Sequence, residues 1–384
     1  MYPALRGPVG QQQFMIENNA NGQRVAVSPP PGQPIAAALA PDGEWLAYIY
    51  VRGLSGANEV AAVHLADGSV VDLGTTEGSA SFTSRLAWSP DGRYLAFTKA
   101  PFDMQTGKNI DPKGPGSTEA YLFDTSSAVV AALTATGNAY AASWSPVANG
   151  LETLWISLAS ETPQSYAIHF PVSGGTDFPN GRSNLTDGVF MPLISPDGMR
   201  AIFWRGTMNR AGGTWSFISA GLPYLATSST GGLPSFTSAN PLFSDLTVTG
   251  QSDTFATGDF GWSADSNTLA FWGGSWSGNQ QPTGYPDEHV VYVGKATDSK
   301  LLTSKSGIDL GLTEEDRIVG VALSPDGTQA AITVGHSAAG DLASPSANLL
   351  TVDLASHTSH DVAAGGTTPP WYGPGTYFSP TGAQ

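Results

Sequence analysis

"WSPDGRYLAFTKA", Trp88–Ala100, reads as a tight turn between two strands. Pro90 presets φ at the second turn position, Asp91 bonds back to the local backbone, and Gly92 accepts positive φ. The apolar run Tyr94-Leu95-Ala96-Phe97 suits a strand covered on both faces. Near-copies recur along the chain: "APDGEWLAYIY" from Ala40, "WSPVANGLETLWIS" from Trp144, "SPDGMRAIFW" from Ser195, "WSADSNTLAFW" from Trp262, "SPDGTQAAITV" from Ser324 and "FSPTGAQ" from Phe378. The second turn positions (Pro41, Pro90, Pro146, Pro196, Ala264, Pro325, Pro380) lie 49 to 68 residues apart. That period fits propeller blades with long insertions and exceeds solenoid periods.

A second hairpin follows each turn unit. "EVAAVHLADGSVVDLG" (Glu59–Gly74) gives strand, Asp-Gly turn, strand. Counterparts begin at Glu119, Ser165, Thr214, His289 and Asn348, and "QFMIENNANGQRVAVS" (Gln13–Ser28) completes the set. With strands named A to D, the Ser-Pro-Asp-Gly turn joins A to B and the second hairpin is C–D. The chain starts with a C–D hairpin and ends just after an A strand. The expected fold is therefore all-β: a seven-bladed β-propeller of four-stranded antiparallel blades, one domain over 1–384. Its ring is closed by N- and C-terminal strands sharing one blade, 1–30 with 370–384, which removes exposed sheet edges. "MYPALRG" is the candidate B strand of that blade.

"AWSPDGRYLAF", "LSPDGTQAAI" and "LAPDGEWLAYI" resemble the TolB-type propeller repeat, a relative of the WD repeat also found in propeller domains of prolyl-oligopeptidase and tricorn-like proteases. "WSPVANGLETLWI" and "WSADSNTLAFW" depart from the pattern, the latter lacking both Pro and Gly. The resemblance implies a rigid disc used as a docking platform, commonly in the bacterial periplasm or at the cell surface. TolB carries a separate α/β domain for which this chain has no room.

Composition narrows the function. A net charge of −16 with 16 Lys+Arg argues against nucleic-acid binding, which needs clustered cations. It favours solubility and cationic partners. No run of ~18 apolar residues is present, so no membrane span is expected, although docking on a membrane complex is compatible. The chain has no cysteine, which points weakly toward an oxidising compartment. Met1–Gly10 lacks a charged and an apolar signal region. A cytoplasmic location is expected if Met1 is the native start, and a periplasmic or surface one otherwise.

Propeller connections divide between two faces. The A–B and C–D turns are mostly short, whereas the D–A and B–C connections hold the extra length, including Lys99–Thr118 and Gly273–Glu288. This long-loop face is the expected working surface, with Phe102, Trp276, Tyr285, Asp316, Trp371 and Tyr372 as candidate binding residues. The aromatics have a bland alternative as plugs folded back over the blades. No G-x-S-x-G, phosphate loop or dinucleotide fingerprint occurs. A catalytic residue is therefore not assigned, and no resident cofactor is expected, with Ca²⁺ in the channel or loops as the one ion considered. The leading reading is a non-enzymatic subunit that binds other proteins in an envelope or surface assembly. The alternatives are a glycan-binding module and a metal-dependent enzyme resembling oligogalacturonate lyase, with His169, His289 and His336 as candidate ligands.

Overall fold

The computed structural model describes residues 4–6, 13–17, 24–27, 33–51, 58–76, 85–100, 117–148, 150–171, 181–211, 214–228, 234–246, 255–256, 258–274, 276–277, 289–296, 302–314, 316–336, 346–361 and 371–372. Six four-stranded antiparallel blades each come from one run of chain. Blade 1 is Gln33–Leu39, Trp45–Val51, Asn58–His64 and Val70–Thr76; blade 2 is Ala87–Trp88, Tyr94–Lys99, Glu119–Asp124 and Val129–Ala132. Blade 3 is Ala139–Ala148, Leu151–Leu158, Gln164–Pro171 and Thr186–Asp187; blade 4 is Phe190–Ile194, Arg200–Ala211, Thr214–Thr227 and Ser235–Pro241. Blade 5 is Asp259–Trp262, Thr268–Trp272, Val290–Lys295 and Gly307–Asp309; blade 6 is Asp316–Leu323, Gln329–His336, Ser346–Asp353 and Ser359–Asp361.

The blades pack face to face through apolar seams. Ile49 and Val60 of blade 1 meet Leu95, Phe97 and Phe123 of blade 2. Tyr94 and Leu122 meet Trp144 and Ile156 of blade 3. One larger cluster joins blades 3, 4 and 5 through Tyr140, Trp155, Phe190, Trp204 and Phe271. Ala270 and Val291 of blade 5 then meet Ile332 and Val352 of blade 6. This two-sided burial explains why the middle strands read as unbroken apolar runs. The outermost strands are short and exposed, as in blade 2 (Val129–Ala132) and blade 6 (Ser359–Asp361).

The seven-blade expectation is corrected to six blades, counting sheets folded from one run of chain and joined by described apolar seams. The seventh turn copy, Phe378–Gln384, lies outside the described residues. The two ends of the chain do pair: Trp371–Tyr372, Ala4–Arg6, Gln13–Glu17 and Arg24–Val27 form a further four-stranded sheet, with Leu5 opposite Trp371. The side chains of that sheet are not described, so it is not counted among the seamed blades. Counting turn motifs overcounts the blades because a motif copy marks a turn and carries no packing information.

Four of the A–B turns are built alike: Gly92, Gly198 and Gly327 take the positive φ expected of them and Asp91 Oδ1 accepts the Arg93 amide at 2.9 Å, and a serine adds a further pair of bonds. In blades 2, 4, 5 and 6 the serine hydroxyl donates to the turn aspartate: Ser89 to Asp91 (2.6 Å), Ser195 to Asp197 (2.5 Å), Ser263 to Asp265 (2.6 Å) and Ser324 to Asp326 (2.7 Å). The same hydroxyl accepts the amide five residues on, from Tyr94, Arg200, Thr268 and Gln329, each at 2.9 Å. "WSADSN" keeps this pair, so it makes the same turn without Pro or Gly. Ser266 takes the glycine position there at φ 61°.

Neighbouring turns interlock. The Asp197 amide donates to Ser266 Oγ (2.8 Å), and the Asp265 amide to the Pro325 carbonyl (3.0 Å). Gly327, at φ 63°, abuts Thr268, and a Cβ there would collide with the Thr268 hydroxyl. Gly327→Ala is therefore expected to cost roughly 1–3 kcal/mol through left-handed strain and this clash. Ser266→Gly removes one hydrogen bond and relieves strain, so its cost should stay within about 1 kcal/mol. Urea titration of both variants checks the contrast; equal losses would contradict it.

Blade 4 departs from the expected hairpin. The stretch from Thr214 to Thr227 is one 14-residue strand rather than a C–D hairpin, and it pairs with Arg200–Ala211 along nearly its whole length. "AGLP" forms register shifts inside this pair instead of a turn. Phe217 (4% exposed) folds back onto Phe190 and Trp204, with ring centroids 5.9 and 6.2 Å apart. At this one position the long-loop face is plugged by its own aromatic.

Candidate functional site: the axial channel and its two mouths

Inner strands touch across blade seams, which places them around the axis. Trp88 Nε1 donates to the Ala38 carbonyl of blade 1 (2.9 Å), Trp144 Nε1 to Ala87 of blade 2 (2.9 Å), and Trp262 Nε1 to Leu193 of blade 4 (3.4 Å). On the turn face, these bonds and the interlocked turns lock the ring.

The long-loop mouth is held differently. Arg85 lies two residues before the inner strand of blade 2, and Asp259 begins that of blade 5. Arg85 Nη2 donates to Asp259 Oδ1 at 2.8 Å, with the side chains 13% and 34% exposed. Arg85 Nη1 reaches the Met191 carbonyl of blade 4 at 3.4 Å, and the guanidinium lies 5.1 Å from the Phe260 ring centroid. Because neither blade 4 nor blade 5 is a neighbour of blade 2, these contacts span the channel. Met191 sits at a register shift in its strand with φ 51°. The other described non-glycine residues with positive φ, Ala128, Ser266 and His357, lie in turns. Left-handed backbone within a strand is strained and tends to occur at functional positions.

Acidic side chains around this face act as loop anchors. Glu59 (3% exposed) accepts from the Tyr50 hydroxyl at 2.6 Å. Glu119 (5% exposed) accepts from the Thr134 hydroxyl at 2.6 Å and from the Thr136 and Gly137 amides at 3.0 and 2.7 Å. Asp316 accepts from the Thr313 amide and hydroxyl at 2.8 and 3.0 Å. This candidate binding residue is thus buried and engaged with its own loop.

Of the other candidates, Phe102 and Tyr285 lie outside the described residues. Trp276 belongs to a two-stranded sheet, Phe255–Ala256 with Trp276–Ser277, formed by the segments before the first and after the second strand of blade 5. Trp371 and Tyr372 are the strand that pairs with Ala4–Arg6. His336 lies opposite Asp316 in register, and His289 precedes the third strand of blade 5, both at the long-loop face. His169 is near the other end of its strand, on the turn face, with Nδ1 3.0 Å from Thr153 Oγ1. The structure therefore does not bring the three histidines together. Among the described residues, no group of three or more His, Asp or Glu side chains is placed to hold a metal ion.

The turn face holds one titrating group that the sequence reading missed. Glu152 of blade 3 is 1% exposed, and its Oε1 accepts the Asp91 amide of blade 2 at 3.2 Å. Burial, reinforced by the Asp91 charge, pushes its carboxyl up to about 7.

No family model matches the chain, and no curated protein matches it. Among solved structures it is similar to TolB from Acinetobacter baumannii, with 15% identity and a TM-score of 0.46, covering 96% of this chain and 64% of that one. It is similar to the β-propeller domain of the Trilobed protease from Pyrococcus furiosus (12% identity, TM-score 0.44, covering 87% and 84%). Oligogalacturonate lyase from Vibrio parahaemolyticus is a third (12% identity, TM-score 0.43, covering 94% and 85%). The chain thus spans 64% of the length of the TolB structure. The protein is an all-β propeller, and its structural relatives include both TolB and enzymes. Among the described residues, no helix is long and apolar enough to cross a membrane.

Proposed function

We propose that the protein is a rigid, non-enzymatic platform that binds another protein on its long-loop face, as a subunit of an envelope or cell-surface assembly. The observation that carries this reading is the asymmetry between the faces. The turn face is locked by repeated Ser–Asp turns and Trp-to-carbonyl bonds between blades. The opposite face carries most of the long connections, the C–D connections of blades 3 (172–185) and 5 (296–306) being the exceptions, and the termini of six blades fix where they start and end. Rigid scaffolds that present variable loops are a common way to build recognition surfaces. A net charge of −16 attracts a partner of opposite charge to such a surface. The lack of cysteine fits work outside the reducing cytoplasm.

Affinity capture from native extract tests the reading. Wild-type protein should retain a stoichiometric partner that a variant with residues 103–115 replaced by a short Gly-Ser linker loses. Identical capture by both proteins, or a wild-type protein that stays monomeric and alone, would overturn it.

A further inference from the structure

The Arg85–Asp259 pair joins inner strands that are three blades apart in the ring, at a sequence separation of 174. The described seams do not require this contact, since blades 2 and 5 each pack on the blades beside them. The contact is also well supported. Arg85 is mostly buried, engages the Met191 carbonyl as well as Asp259, and lies over the Phe260 ring. Met191 keeps a left-handed backbone inside a strand, and the carbonyl it offers the channel is the one Arg85 reaches. Asp259 is the more open partner. Its Oδ1 accepts from both Arg85 and the Phe260 amide, at 2.8 and 2.9 Å, while Oδ2 makes no hydrogen bond among the described residues.

We propose that Arg85 and Asp259 form a latch that closes the long-loop mouth of the axial channel from within, and that a guanidinium or ammonium group engaging Asp259 releases it. The free Oδ2 is the point of attack, because it accepts a second cationic donor before the first leaves. The chain's negative charge concentrates such a group near the mouth. This rests on the reading of the long-loop face as the contact surface, and it gives that surface a chemistry: a basic side chain of the partner.

The chain contains no cysteine, so one introduced thiol reports local opening. Ser143→Cys is the reporter. Ser143 lies on the inner strand of blade 3, is 4% exposed, and donates to the Pro192 carbonyl next to Met191 at 2.7 Å. Its maleimide labelling is expected to be slow, and about tenfold faster when Asp259→Asn or Arg85→Gln is added. Argininamide should accelerate labelling severalfold over sodium chloride of equal ionic strength, and should do nothing further in the Asp259→Asn background. Equal labelling rates with and without Asp259→Asn, in proteins that share the same circular dichroism, would overturn the latch. An equal response to argininamide and sodium chloride would overturn its cationic release. If either single variant fails to fold, the exchange Arg85→Asp with Asp259→Arg replaces it: slow labelling supports the latch, and fast labelling in folded protein refutes it. Labelling needs no partner, so its outcome is separate from that of the capture experiment.

Discussion

Trp204→Ala is expected to cost roughly 3–5 kcal/mol, the range for removing a large buried aromatic. Trp204 is fully buried in the second strand of blade 4. Its ring centroid lies 6.2 Å from Phe217, 6.0 Å from Phe260 and 6.4 Å from Phe271. The side chain therefore fastens the folded-back hairpin on one side and the blade 4–5 seam on the other. Neither neighbour can close the space alone, because Phe260 and Phe271 are fixed by their own strand pairing. The urea midpoint should fall accordingly, and argininamide-independent labelling of the Ser143→Cys reporter should rise with it. A loss below about 1 kcal/mol would mean that the seam relaxes freely, contrary to the packing described.

Glu152 makes stability depend on pH. Its folded-state value of about 7 lies above the ordinary 4.5, burial being the main cause and the Asp91 charge the next. A raised acid favours its protonated form in the folded protein. Its stabilising contribution is therefore complete below about pH 4.5 and is lost as the pH rises through about 7. At 1% exposure the shift corresponds to roughly 2–3 kcal/mol between pH 4.5 and pH 8.5. Glu152→Gln keeps an oxygen for the Asp91 amide and cannot ionise. The difference in unfolding free energy between the two proteins should therefore swing toward the glutamine variant as pH rises. Parallel stability curves across that range would contradict the assignment.

Much of this architecture is visible in the linear sequence. The turn motif and its flanking strands locate the A–B junctions of blades 1, 2, 4, 5 and 6, whereas in blade 3 Pro146 lies inside the first strand and the junction falls between Ala148 and Leu151. Trp88 is found packed against blade 1 through its Ala38 bond. What composition could not reveal is contact across the ring. Arg85 in "SFTSRLAW" and Asp259 in "TGDFGW" are unremarkable locally, since their pairing depends on the distance between inner strands of separate blades. Glu152 in "NGLETLW" looks like a solvated charge at a strand start, because the turn that buries it comes from another blade. In blade 4, Gly221 and Pro223 suggested a turn. The burial of Phe217 and Leu222 on either side keeps the chain extended instead. Asp316, a candidate binding residue in the sequence, is buried and accepts from the Thr313 amide and hydroxyl, a local bond that the acidic run around it does not announce.

In the proposed assembly the long-loop face, and not the turn face, meets the partner. The six lysines allow a direct measurement by amine cross-linking of the captured complex. Lys108 and Lys113 belong to the connection between the second and third strands of blade 2, which leaves and rejoins the blade on the long-loop face. Lys295 and Lys305 lie at the ends of blade 5 strands on the turn face. Links from the partner to Lys108 and Lys113, with Lys295 and Lys305 unlinked, are the predicted result. Links concentrated at Lys295 and Lys305 would contradict it.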